Sequence, residues 1–131
     1  MISARAENKG KGHFAETHAA AFLRRKGYSL LTRNYAYRGG ELDIVAKSPE
    51  GKIVFVEVKS IWNKRNGRAE SRVQGNKQFK LWRTACHYLH FNGGFEQACR
   101  FDVIAVDCSG EQFSIRHIPA AFEANQTIPQ C

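Results

Sequence analysis

Two apolar stretches joined by a short turn constrain this chain more than any other part of it. Leu42-Asp43-Ile44-Val45-Ala46 and Ile53-Val54-Phe55-Val56-Glu57-Val58-Lys59 are rich in β-branched residues and read as strands. Between them lies Ser48-Pro49-Glu50-Gly51-Lys52. Pro49 pre-sets the turn and Gly51 accepts a positive φ, which suits a three-residue loop that ends in a bulge. Closing the hairpin around residues 49–51 pairs Ser48 with Lys52, and stepping back along both strands sets Asp43 opposite Glu57. Alternation then puts Glu41, Asp43, Glu57 and Lys59 on one face. Carboxylates that face each other across a ladder repel, and a cation is the natural compensation. The hairpin is therefore a candidate metal site.

The charge pattern around the hairpin suggests what such a metal would work on. The chain has a net charge of +8, unevenly placed. Residues 59–83 carry Lys59, Lys64, Arg65, Arg68, Arg72, Lys77, Lys80 and Arg83 against Glu70 alone. Residues 1–40 carry eight more bases, among them Arg38, against Glu7 and Glu16. The segment 41–58 is net acidic instead. An acidic pocket between basic segments suits a polyanion held by its phosphates while a metal acts on one of them. The plain alternative is a solvated basic surface that serves solubility alone.

With 131 residues, 43% hydrophobic and 24% charged, the chain is expected to fold as one domain over residues 12–120. Residues 1–11 and 121–131 are expected to be flexible termini. No run approaches membrane-spanning length, the start lacks the apolar stretch of a signal peptide, and the four cysteines form no CxxC pair. A cytoplasmic protein with reduced cysteines, and no membrane partner, is the expectation. Helical spacing of Phe14, Ala15, Ala19, Phe22 and Leu23 predicts a helix from about His13 to Lys26. A first strand follows over residues 28–35, then the Gly39-Gly40 turn and the hairpin. Residues 62–75 read as a basic loop. Asn76 is the expected cap of a helix over residues 77–91, with Phe79, Trp82, Cys86 and Leu89 as its apolar stripe. Residues 101–106 and 112–118 complete a mixed sheet of about five strands flanked by helices, an α/β fold.

Ala15-Glu16, Arg33-Asn34, Gly40-Glu41-Leu42-Asp43, Val56-Glu57-Val58-Lys59, Lys77 and Arg100-Phe101-Asp102-Val103-Ile104 resemble the pattern of the YraN-like bacterial proteins. The resemblance spans residues 10–107. It implies the restriction-endonuclease-like fold of the PD-(D/E)XK nucleases and a likeness to archaeal Holliday junction resolvases. Leu42 stands where the superfamily name has proline. By this resemblance Asp43 and Glu57 are metal ligands.

Phosphodiester cleavage needs a hard cation that neutralises charge on the phosphate and lowers the pKa of an attacking water. Mg2+ or Mn2+ is the expected cofactor, held by Asp43, Glu57 and the main-chain carbonyl of Val58. Lys59 is placed to orient the water or stabilise the pentavalent phosphate, and neighbouring carboxylates are expected to keep it charged. Glu16 and Glu41 are candidates to complete the site or hold a second cation. Arg38, Lys64, Arg65, Arg68, Arg72 and Lys77 are the candidate phosphate contacts. Asp102 reads as structural, and His87 and His90 beside Cys86 as a helix face in preference to a zinc site. Two functions remain: a metal-dependent nuclease acting on nucleic acid, with branched or damaged DNA among the candidate substrates, and a non-catalytic nucleic-acid-binding module that keeps the nuclease fold. Homodimerisation is left open.

Overall fold

The computed structural model describes residues 4–63 and 75–122. Its elements are α1 (Ala4–Arg25), β1 (Ser29–Tyr37), β2 (Gly40–Lys47), β3 (Ile53–Ile61), α2 (Gly75–Phe91), β4 (Cys99–Asp107) and β5 (Ser114–Phe122). The strands form one sheet in the order β1-β2-β3-β4-β5. This is the expected α/β architecture, an open mixed sheet of five strands flanked by two helices. All neighbouring pairs are antiparallel except β3 and β4. A parallel pair cannot be closed by a tight turn, and α2 lies in the crossover between these two strands.

The hairpin closes as its turn chemistry dictates. Ser48 N–H donates to the Lys52 carbonyl at 2.8 Å, and Gly51 N–H donates to the Ser48 carbonyl at 2.9 Å. Gly51 adopts a φ of 90°, which a side chain would resist. Both faces of β2 and β3 are covered. On one face Ile44, Ala46, Val54 and Val56 pack with Ala15, Ala19, Ala20 and Leu23 of α1. On the other, Val45, Ile53 and Phe55 pack with Leu81, Ala85, Tyr88 and Leu89 of α2.

Several elements depart from the periodicity reading. Helix α1 begins at Ala4, well ahead of His13, and β5 runs on to Phe122, so regular structure reaches into both segments expected as termini. Asn76 lies inside α2 and is not its cap. The buried face of α2 is turned from the expected stripe: Leu81, Ala85 and Tyr88 are buried, whereas Phe79 is exposed. Thr84 is fully buried on that face, and its hydroxyl is satisfied within the helix by donating to the Lys80 carbonyl at 2.7 Å. Cys99 and Cys108 are free thiols, but Cys86 is disulfide-bonded, against the expectation. Cys86 is half-buried on α2. Among the described residues, no helix is long and apolar enough to cross a membrane.

Gly40 sets how closely α2 approaches β2. A Cβ there would stand 2.2 Å from Thr84 Oγ1 and 2.7 Å from the Lys80 carbonyl oxygen. The second clash is with backbone and cannot be relieved by a rotamer change. Gly40→Ala should therefore destabilise the protein by about 1–3 kcal/mol, the usual range for overpacking. Urea unfolding followed by circular dichroism measures this, and an unchanged midpoint would show that the helix yields freely.

Candidate metal and phosphate site

The site forms where β2 and β3 part. Their regular register runs from Lys47–Ile53 to Ile44–Val56. One residue further the contact passes to a side chain: Val58 N–H donates to Asp43 Oδ2 at 2.8 Å. Strict alternation breaks here too, because Leu42 joins Val45 in the core beneath α2. Asp43, Glu41 and Glu57 line an open pocket of about 460 Å³, closed on its other side by Lys77 and Lys80 of α2.

Three carboxylates meet at this place, and a fourth lines the same pocket. Glu16 of α1, Glu41 and Asp43 each offer an oxygen, and these atoms all lie within 4.8 Å of one another. The fourth, Glu57, is 8% exposed and is held by two lysines. Lys77 Nζ stands 2.5 Å from Glu57 Oε1 and Lys59 Nζ 3.8 Å. Glu16 is approached by the Arg33 guanidinium at 3.8 Å. An all-oxygen, anionic donor set of this kind fits a hard divalent cation such as Mg2+ or Mn2+.

Burial and crowding perturb these groups. Burial, then the neighbouring charge of Glu57, push the Asp43 carboxyl up to about 8, although the Val58 N–H works in the other direction. Glu16 is raised as well, first by burial and against the pull of Arg33, with Glu41 adding to the rise. Lys59 is shifted in the other sense, although the acids beside it still favour its charged form. Burial and the adjacent ammonium of Lys77 lower its pKa, and the attraction of Glu57 does not compensate. Lys77 behaves oppositely: burial lowers it, but the hydrogen bond and charge of Glu57 prevail and raise it. No sequence signal foretold that Lys77 would pair with Glu57, since they are brought together only by the seating of α2.

The other candidates fall as follows. The Arg38 carbonyl accepts from Arg83, and the Arg38 guanidinium lies over the Tyr37 ring at 5.4 Å; Arg38 precedes Gly39, which lines the pocket, but does not line it itself. Lys64, Arg65, Arg68 and Arg72 lie outside the described residues. Asp102 is fully buried and accepts from Arg100 Nε at 2.9 Å, Ala120 N–H at 3.0 Å and His117 Nε2 at 2.7 Å. Burial alone would raise its carboxyl, but these donors hold it below the usual range. His87 Nδ1 meets the Tyr35 hydroxyl at 2.6 Å and its ring stacks on Tyr37.

Fold and site together define an α/β protein with a crowded acidic pocket edged by lysines at the end of an open sheet. The chain belongs to the family described as Uncharacterised protein family UPF0102, the YraN-like proteins, whose model matches residues 15–106. It is 41% identical over 123 residues to a UPF0102 protein of Pelobacter propionicus, covering 92% of this chain and 88% of that one. A UPF0102 protein of Trichlorobacter lovleyi is 41% identical over 117 residues, 88% of this chain and 92% of its own. A relative from Burkholderia pseudomallei matches at 41% over 77% of this chain and 69% of its own length.

The raised carboxyl makes metal-free stability depend on pH. An unfolded aspartate loses its proton near ~3.9, whereas Asp43 in the folded protein keeps it to about 8. In that window the folded state binds more protons than the unfolded chain, so the contribution is fully present below the unfolded pKa and is lost as pH rises through the folded value. Asp43→Asn removes this titration. Denaturant melts in chelator across that window should show wild type losing stability relative to the variant as pH rises. Parallel curves would show that the carboxyl ionises freely.

Proposed function

We propose that this protein is a metal-dependent nuclease that hydrolyses nucleic-acid phosphodiester bonds, with branched or damaged DNA among the candidate substrates. The observation that carries this reading is the gathering of Glu16, Glu41 and Asp43 within 4.8 Å beside Glu57, Lys59 and Lys77. Asp43 and Glu57, with Glu16 and Glu41, would hold Mg2+ or Mn2+. The cation supplies Lewis-acid stabilisation of the phosphate and an acidified water. Lys59 lies beside the acids with its pKa lowered, which suits proton transfer from a water as well as charge stabilisation. Lys77 is placed at the pocket wall, where a phosphate would enter. The basic stretch 59–83 would then hold the flanking backbone.

The second reading is a binding module without turnover. One observation favours it: Glu57 is already neutralised by Lys77 at 2.5 Å, as in a site that functions without a cation.

A cleavage panel of single-stranded, duplex, flap and four-way substrates with Mg2+ or Mn2+ separates them. The nuclease reading expects wild type to cut, Lys59→Ala to lose about 10²–10³ in rate, and Asp43→Asn and Glu57→Gln to lose both cleavage and the metal-induced rise in melting temperature. Binding without cleavage or metal shift leaves the module. Both readings expect affinity that falls steeply with salt, log K dropping by about 0.7–0.9 per phosphate contact for each decade of salt. Charge reversal at Arg65, Arg68 and Arg72 should reduce that slope, and salt-insensitive binding in a filter or anisotropy titration would sink both.

A further inference from the structure

Asn34 has no part in the chemistry above, yet its backbone and side chain both serve the acid cluster. It adopts a φ of 55°, a left-handed conformation that asparagine tolerates better than most side chains. It sits between the register pairs Arg33–Ile44 and Tyr35–Leu42, at the place across from Asp43. With the amide assigned so that its NH2 end faces the carboxylates, its nitrogen lies 2.8 Å from Glu16 Oε1 and 3.0 Å from Glu41 Oε1. An ionised carboxylate only accepts, so the NH2 end, with two protons, is the end that faces these oxygens. One neutral group thus ties an acid on α1 to an acid on β2.

We propose that Asn34 is a positioning residue that holds the Glu16 and Glu41 carboxylates together beside Asp43, arranging the three for a divalent cation before it arrives. The proposal rests on the metal reading given above. Its physical basis is the contrast with Glu57. A lysine satisfies that carboxylate by neutralising it, and so competes with a metal for the same charge. An amide donates two hydrogen bonds and brings no positive charge to compete with a metal. The nearby Arg33 contacts Glu16 at a longer 3.8 Å. It cannot set the separation of the two acids as a shared nitrogen does. The left-handed backbone is what turns the short asparagine side chain onto both acids at once.

Asn34→Gly tests this, because glycine keeps the left-handed backbone and removes the amide. Mn2+ affinity, read from the electron paramagnetic resonance of free Mn2+, should weaken about tenfold or more, the usual effect of losing a group that orients metal ligands. A purely structural role would lower the metal-free melting temperature and leave the Mn2+ affinity of folded protein unchanged. That result overturns the proposal while the metal reading stands. Failure of wild type to bind Mn2+ overturns the metal reading and this role with it. Should Asn34→Gly not fold, NMR of metal-free wild type decides. Both side-chain amide protons of Asn34 should be shifted downfield, and each of Glu16→Gln and Glu41→Gln should move them. Amide protons that exchange freely with water would refute it.

Discussion

Four carboxylates drawn from three elements are crowded at one end of the sheet, and the surrounding structure is arranged to tolerate their repulsion. Each acid is compensated differently. Asp43 accepts a main-chain N–H from Val58 and is pushed toward its neutral form. Glu57 is held by Lys77 and Lys59. Glu16 has Arg33, and Glu16 and Glu41 share the amide of Asn34. Removing any of these partners would leave charge in a half-buried place, where Coulomb interactions are weakly screened.

Two close approaches bring these groups within reach. The face of α1 against the sheet is built from Ala15, Ala19, Ala20 and Leu23, so the helix can lie near β2 and β3. Glu16, next in sequence to Ala15, is thereby carried to the pocket. On the other face, Gly40 passes directly against the main chain of α2 at Lys80. That contact sets the height of Lys77 above Glu57. Small residues at two packing contacts therefore determine distances at the polar site, which ties stability and chemistry to the same positions.

Asp102 offers an internal comparison. It is more deeply buried than Asp43, yet its carboxyl is held low because Arg100, His117 and the Ala120 N–H all donate to it. Tyr28 in turn bonds Arg100 at 2.7 Å, closing that network. A fully satisfied buried acid of this kind braces β4 against β5. Asp43 is surrounded by other acids and remains perturbed, which is the pattern that functional sites show. Burial is common to both; the neighbours make the difference.

The sequence by itself determined the hairpin, its turn and the register that sets Ile44 against Val56, because each follows from local rules: a glycine at positive φ, a period of two, a register counted from a turn. It did not reveal the break of alternation at Leu42, the rotation of α2 that buries Tyr88 and exposes Phe79, or the early start of α1. It also gave no sign that Lys77 would reach Glu57, that Asn34 would span Glu16 and Glu41, or that Lys59 would be lowered where acids alone would raise it. Those outcomes depend on how closely helices seat on a sheet and on what else is buried there. Such distances are set by side-chain volumes meeting across elements far apart in the chain, and only the tertiary structure decides them.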